Sequence, residues 1–257
     1  MPPSLRRVLP TVLDRVPDAP EPTVPRMVTA FLPEWRTALL PARLLLDAPA
    51  LATAPRGDGG PVVDVPGWRA PELTMAPLRG YLRWLGHDAR GWGGGTNLGD
   101  PRASVRTLTE RVREVHAETG RPVALVGWSL GGVVAREVAR REPALVRRVV
   151  TYGTPVVGGP AWTVGAASFG PAQSRRISRM AERVERTDPI RVPVTAIYTR
   201  RDAVVSWPAC IDRYTPGVRH VEVTSTHLGL GLDPDVWRIV ADQLAEPADG
   251  VRDDPGA

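Results

Sequence analysis

The sequence predicts an α/β fold: a mostly parallel central sheet with helices on both faces and a small lid inserted late in the chain. Two observations carry this expectation. From residue 61 onward, short β-branched runs alternate with segments of helical periodicity, which is how strands joined by helical crossovers read. The run VALVGW (123–128) is apolar without alternation, as a strand covered on both faces should be. With 257 residues, one large domain can bury a core without disulfides.

The elements follow in order. PVVDVPGW (61–68) is a short strand ended by Pro66-Gly67. PELTMAPLRGYLRWLG has helical spacing with Pro71 near its start, and HDARGW is a weak second strand. In PRASVRTLTERVREVHAETG, Val105, Leu108, Val112 and Val115 recur at helical spacing until Gly120 stops the helix. VALVGW leads into the helix LGGVVAREVARRE; VRRVVTYG, VPVTAIYT and RHVEVTS are three more strands. DPDVWRIVADQLAE is the last helix, with Asp233 or Asp235 as its cap.

The flanks read differently. Residues 1–25 carry seven prolines and little periodicity, which predicts an extended or disordered arm. Residues 26–55 form an N-terminal helical segment, broken by Pro33 and Pro41 and padding the outside of the domain; a sharper reading docks Phe31, Trp35, Leu44 and Leu45 on a membrane or a partner. Residues 56–247 make the domain, and 248–257 a frayed tail. Residues 156–191 interrupt the rhythm between two core strands, where a lid is often found.

Composition excludes several classes. Charged residues are 24% and hydrophobic residues 42%, ordinary for a soluble globular protein. The net charge is +5, all from arginine, but acids are interspersed and no basic stripe alternates with aromatics, so no nucleic-acid partner is expected. Cys210 is the only cysteine, so no intrachain disulfide can form, and four scattered histidines do not make metal-ligand spacing. No metal and no cofactor is expected. The glycine loop GWGGGTNLG lacks the lysine of a phosphate-binding loop and the glycine spacing of a dinucleotide site. The first residues make a poor secretory signal and no stretch is long and apolar enough to cross a bilayer, so a cytoplasmic location is expected.

The chemistry starts at VGWSLGG. A G-x-S-x-G sequence between a strand and a helix builds a sharp turn that exposes the serine oxygen, with Gly127 and Gly131 admitting the packed strand and helix. Serine needs a histidine to take its proton and a carboxylate to orient that histidine. Only His220 and His227 follow Ser129. His220 alternates with Val221 and Val223 and reads as a solvent-face strand residue, whereas His227 follows the strand, in a loop over the sheet edge. Asp202 directly follows VPVTAIYT; Asp188 precedes it, and Asp212, Asp233 and Asp235 read as surface or capping residues. The expected set is therefore Ser129, His227 and Asp202. Oxyanion donors are expected from the backbone N–H groups of Leu130 and Trp68.

These pieces resemble the α/β-hydrolase superfamily, in particular the bacterial lipase/esterase-like hydrolases frequent in actinobacteria. The resemblance runs in one order from RGDGGPVVDVPGW through LVGWSLGGVVAREVA, VTYGTP and IYTRRDAVVSWPAC to STHLGLGLDPDVWRIVADQLAE, about residues 56–246. Gly153-Thr154-Pro155 is similar to the turn after the sixth strand of lipase-like members. One departure is Pro66-Gly67, where relatives often carry His-Gly. The resemblance implies a serine hydrolase of carboxylic esters. Trp92, Trp162 and Phe169 are expected to line an apolar acyl pocket, favouring lipid-like or medium-chain esters. Acyl transfer or thioester cleavage could use the same three residues, and a catalytically dead binding or scaffold protein is the alternative from another class.

Overall fold

The computed structural model describes residues 11–13, 16–25, 33–157 and 159–246. Seven strands form one sheet: β1 (Thr11–Leu13), β2 (Pro61–Val65), β3 (Asp88–Gly91), β4 (Val123–Trp128), β5 (Val146–Tyr152), β6 (Val194–Tyr198) and β7 (Arg219–Glu222). Their spatial order is β1-β7-β6-β5-β4-β2-β3. Strands β2 to β7 are parallel, and β1 pairs antiparallel to β7 with Thr11 opposite Glu222. Part of the proline-rich arm is thus a sheet-edge strand, formed by the short run TVL. Residues 1–10 and 26–32, with Phe31, and the tail beyond 246 lie outside the described residues.

Helices follow the sequence pattern. The N-terminal segment gives a 3₁₀ helix (Pro33–Leu39), then α1 (Leu40–Leu46) and α2 (Ala48–Ala52), the short pieces that its prolines predict. The others are α3 (Ala76–Trp84), α4 (Pro101–Thr119), α5 (Leu130–Arg141), α6 (Pro171–Thr187) and α7 (Pro234–Ala245). Asp100 caps α4 by accepting from the N–H groups of Arg102 and Ala103, and Gly120 ends it at φ 66°. Asp233 caps α7 through the N–H of Asp235.

Side chains alternate across the sheet and build two cores. Val62, Ala124, Val126, Val150 and Ile197 pack with α3 and α7 on one face; Val63, Val65, Leu125, Val149 and Ala196 pack with α4 and α5 on the other. Leu108, Val112 and Val115 of α4 are fully buried, each contributing about 1.5–3 kcal/mol over an exposed position.

The lid holds two 3₁₀ turns (Gly159–Trp162 and Val164–Ser168) and the 17-residue α6, longer than its weak sequence signal. Its Ile190 joins the core packed by α4 and α5, and a buried charge network adds to this anchor. Arg136 on α5 is buried and its Nη2 donates to Glu185 of α6 at 2.8 Å and to Asp212 at 2.7 Å. Asp212 also accepts the N–H groups of Tyr214 and Thr215, and its own N–H donates to His220 Nε2 at 3.0 Å. Burial alone would raise the Asp212 carboxyl, but Arg136 beside it holds it below the usual range. Asp212 is therefore an interior group rather than a surface one; Asp233, the cap, and Asp235, whose N–H it accepts, are buried too. His220, expected on a solvent face, is fully buried; that expectation is corrected by the 207–215 segment covering its side of β7.

Candidate active site

The order of strands creates the place for a site. Strand β2 lies between β3 and β4, so the chain leaves β2 and β4 in opposite directions, and a crevice opens at their carboxyl ends. Val65 at the end of β2 is in register with Gly127, two residues before Ser129.

Ser129 occupies the turn between β4 and α5 at φ 53° and ψ −123°. Only Arg69 and Ser129 among the described non-glycine residues have positive φ, and such backbone costs about 1–3 kcal/mol. The turn closes because its flanks lack side chains. A Cβ on Gly131 would stand 2.2 Å from the Val65 carbonyl oxygen, and one on Gly127 would stand 2.4 Å from Gly132 Cα. The Ser129 N–H donates to the Tyr152 carbonyl at 2.9 Å. Leu130 is the first residue of α5, so its N–H has no partner within the helix.

Asp202 lies four residues beyond β6 and His227 five beyond β7. Asp202 Oδ1 accepts the N–H groups of Val204 (2.9 Å) and Val205 (2.7 Å), and its Oδ2 is 2.7 Å from His227 Nδ1. An ionised carboxylate only accepts, so Nδ1 donates and Nε2 keeps its lone pair. Neither Arg200 nor Arg201 takes up Asp202; Arg200 pairs with Glu222. The imidazole lies over Trp128, with ring centroids 5.7 Å apart, and against Gly153, whose Cβ position would be 3.1 Å from Nδ1. Ser129, Asp202 and His227 thus share one end of the sheet. Among the described residues no hydrogen bond joins Ser129 Oγ to His227; such bonds often tighten only with substrate bound.

The loop after β2 abuts the serine. A Cβ on Gly67 would lie 3.3 Å from Ser129 Cβ. The Pro66 carbonyl accepts Asn97 Nδ2 at 2.9 Å, Asn97 O accepts the Arg69 N–H at 2.7 Å, and the Asn97 N–H donates to Ala70 at 3.1 Å. Asn97 therefore braces the turn that carries Trp68. Its only sequence signal was a lone amide inside a glycine loop. Glu34 was missed as well: its carboxylate accepts the N–H groups of His227 and Leu228, both at 3.1 Å.

The three residues expected at an acyl pocket differ in exposure. Trp92 is buried in the core with α4, its Nε1 donating to Gly95 O. Trp162 is half-buried and Phe169 is 43% exposed. The lid joins the surroundings of Asp202: the Val164 N–H donates to Val204 O, the Ser206 N–H donates to Trp162 O, and Gly165 approaches the Trp68 ring. Among the described residues, no group of three His, Cys, Asp or Glu side chains could hold a metal, and no helix is long and apolar enough to cross a membrane.

Comparison with known proteins agrees with the fold. Residues 62–255 match the alpha/beta hydrolase family. The chain belongs to that family. A pimeloyl-[acyl-carrier protein] methyl ester esterase of Aliivibrio fischeri is 29% identical over 102 residues, and the match spans 38% of each chain. Among solved structures, this hydrolase is similar to Aspergillus fumigatus lipase B, with 20% identity and a TM-score of 0.58 over 79% of this chain and 57% of that one. It is also similar to the Bacillus licheniformis lipase BlEst2, with 16% identity and a TM-score of 0.54 over 75% and 94%. At these identities the likeness is one of fold.

Proposed function

We propose that this hydrolase cleaves carboxylic esters through an acyl-enzyme on Ser129. The observation that carries the reading is the buried His227–Asp202 contact, 2.7 Å long, at the same sheet end as a strained serine. Ser129 Oγ attacks the acyl carbonyl as His227 Nε2 accepts its proton. Asp202 holds the imidazole in the tautomer that leaves Nε2 free and stabilises the imidazolium that forms. The Leu130 and Trp68 N–H groups receive the negative oxygen, and the α5 N-terminus adds its dipole. The imidazolium protonates the leaving alcohol. Water, deprotonated by the same nitrogen, then attacks the acyl carbon, and the acid leaves as Ser129 regains its proton.

Phe169 and Trp162 in the 156–191 insertion favour an apolar acyl group, and the methyl ester named in the description of the Aliivibrio fischeri relative agrees with an ester substrate. The test is covalent labelling. A fluorophosphonate probe should label the wild type and not Ser129→Ala, and p-nitrophenyl esters should turn over faster as the acyl chain lengthens to about eight carbons. An unlabelled wild type overturns the serine-hydrolase reading. A labelled enzyme with a flat or short-chain profile overturns the apolar pocket alone.

A further inference from the structure

We infer that Glu34 is a positioning residue for His227, supplied by the N-terminal segment rather than by the strand–helix core. The inference rests on the ester-hydrolase reading of Ser129, Asp202 and His227. Glu34 sits on the first 3₁₀ turn and is only 7% exposed. Its Oε1 accepts the N–H of His227 and its Oε2 accepts the N–H of Leu228, each at 3.1 Å and across more than 190 residues of sequence. Oε2 also receives the Thr37 hydroxyl at 3.4 Å. Bonds from amides to an ionised carboxylate are about twice as strong as neutral ones. Two of them on successive amides fix both the position and the tilt of the peptide that bears the imidazole.

The rest of the segment engages the same loop. The Thr37 hydroxyl lies 3.2 Å from that of Thr226, and the Leu40 side chain lies against Gly229. Arg43 Nη1 donates to Asp233 at 3.0 Å, and Arg43 pairs with Asp235 as well. The segment packs Leu40, Leu44 and Leu51 inward, leaves Trp35 63% and Leu39 58% exposed, and sends Glu34, Thr37 and Arg43 to residues 226–235. Asp202 anchors the imidazole at its Nδ1 tip and Glu34 anchors it at the backbone. With both in place Nε2 is held toward Ser129; with only one, the ring can tilt about the other. Glu34 acts on the main chain that carries His227, so the loss should appear in turnover and not in substrate binding.

The experiment compares wild type, Glu34→Ala and Glu34→Gln, each assayed well below its own melting temperature. Readouts are the fluorophosphonate labelling rate and kcat and KM on one p-nitrophenyl ester. Glu34→Ala should lower labelling and kcat at least tenfold with KM within threefold. Glu34→Gln keeps one acceptor oxygen but turns an NH₂ toward the other amide, so it should fall between, at about a threefold to tenfold loss. A folded Glu34→Ala that labels within twofold of the wild type overturns the inference, as does a rise in KM at constant kcat. Should the alanine variant fail to fold, a Glu34→Gln enzyme indistinguishable from wild type overturns it equally. A wild type that takes no label overturns the ester-hydrolase reading instead.

Discussion

His227 Nδ1 lies 2.7 Å from Asp202 Oδ2, and both side chains are almost wholly buried. The other carboxylate oxygen is held by two backbone N–H groups, so Asp202 cannot turn to present a different atom. This makes Asp202→Asn informative. The amide oxygen must keep the Val204 and Val205 N–H groups, which leaves the NH₂ facing Nδ1. The imidazole is then driven into the opposite tautomer, with its proton on Nε2 and no base for Ser129. The expected result is a fall in kcat of about 10³-fold or more with melting changed by only a few degrees. A kcat within tenfold of the wild type would remove Asp202 from the proposed mechanism.

Asn97 is wholly buried, and its Nδ2 donates to the Pro66 carbonyl in the turn that carries Trp68. In Asn97→Ala the Pro66 carbonyl loses that donor inside the protein, at a cost of about 1–3 kcal/mol. The turn presenting the Trp68 N–H also loosens, so kcat should drop about tenfold or more while KM changes little. Steady-state kinetics with a denaturant titration checks both effects. Stability loss with unchanged kcat would mean that Asn97 braces the fold but not the oxyanion site.

The strand–turn–helix around Ser129, and the strands leading to Asp202 and His227, were legible because each rests on local periodicity and on glycine spacing. Asn97 and Glu34 were not. Their partners lie 31 and 193 positions away, and a lone amide or carboxylate in an irregular segment has no period to betray it. Trp92 is buried with α4, a placement that its glycine-rich surroundings do not reveal in the sequence. For His220, alternation was assigned a wet face that the 207–215 segment in fact covers.

Arg136 links α5, the lid helix α6 and the Asp212 turn inside the protein. Its attraction to two acids repays its desolvation only while all three groups are present. Replacing it by methionine, Arg136→Met, fills the volume but leaves Asp212 uncompensated; Glu185 retains Arg140. The expected cost is about 3–5 kcal/mol, or about 10 °C in melting temperature at this chain length. Calorimetry decides it. A variant as stable as the wild type would show that the network does not hold the lid.

His220 sets a pH dependence that can be signed in advance. Burial pushes its pKa from 6.5 down to about 4. Between these values the unfolded chain binds a proton that the folded chain refuses, so stability falls as pH drops through that window. Asp64 acts in the opposite sense. Burial outweighs its bond to Arg79 and raises it from 3.8 to about 6, so its contribution diminishes as pH rises through the same range. The two offset one another in the wild type and flatten its acid profile. In His220→Gln the histidine contribution is gone while the Asp212 N–H can still find an acceptor. The stability of the wild type minus that of the variant should therefore shrink by about 2–3 kcal/mol between pH 7 and pH 4.5. Urea titrations of both proteins at those two values measure it, and parallel profiles would show that His220 is not held neutral by burial.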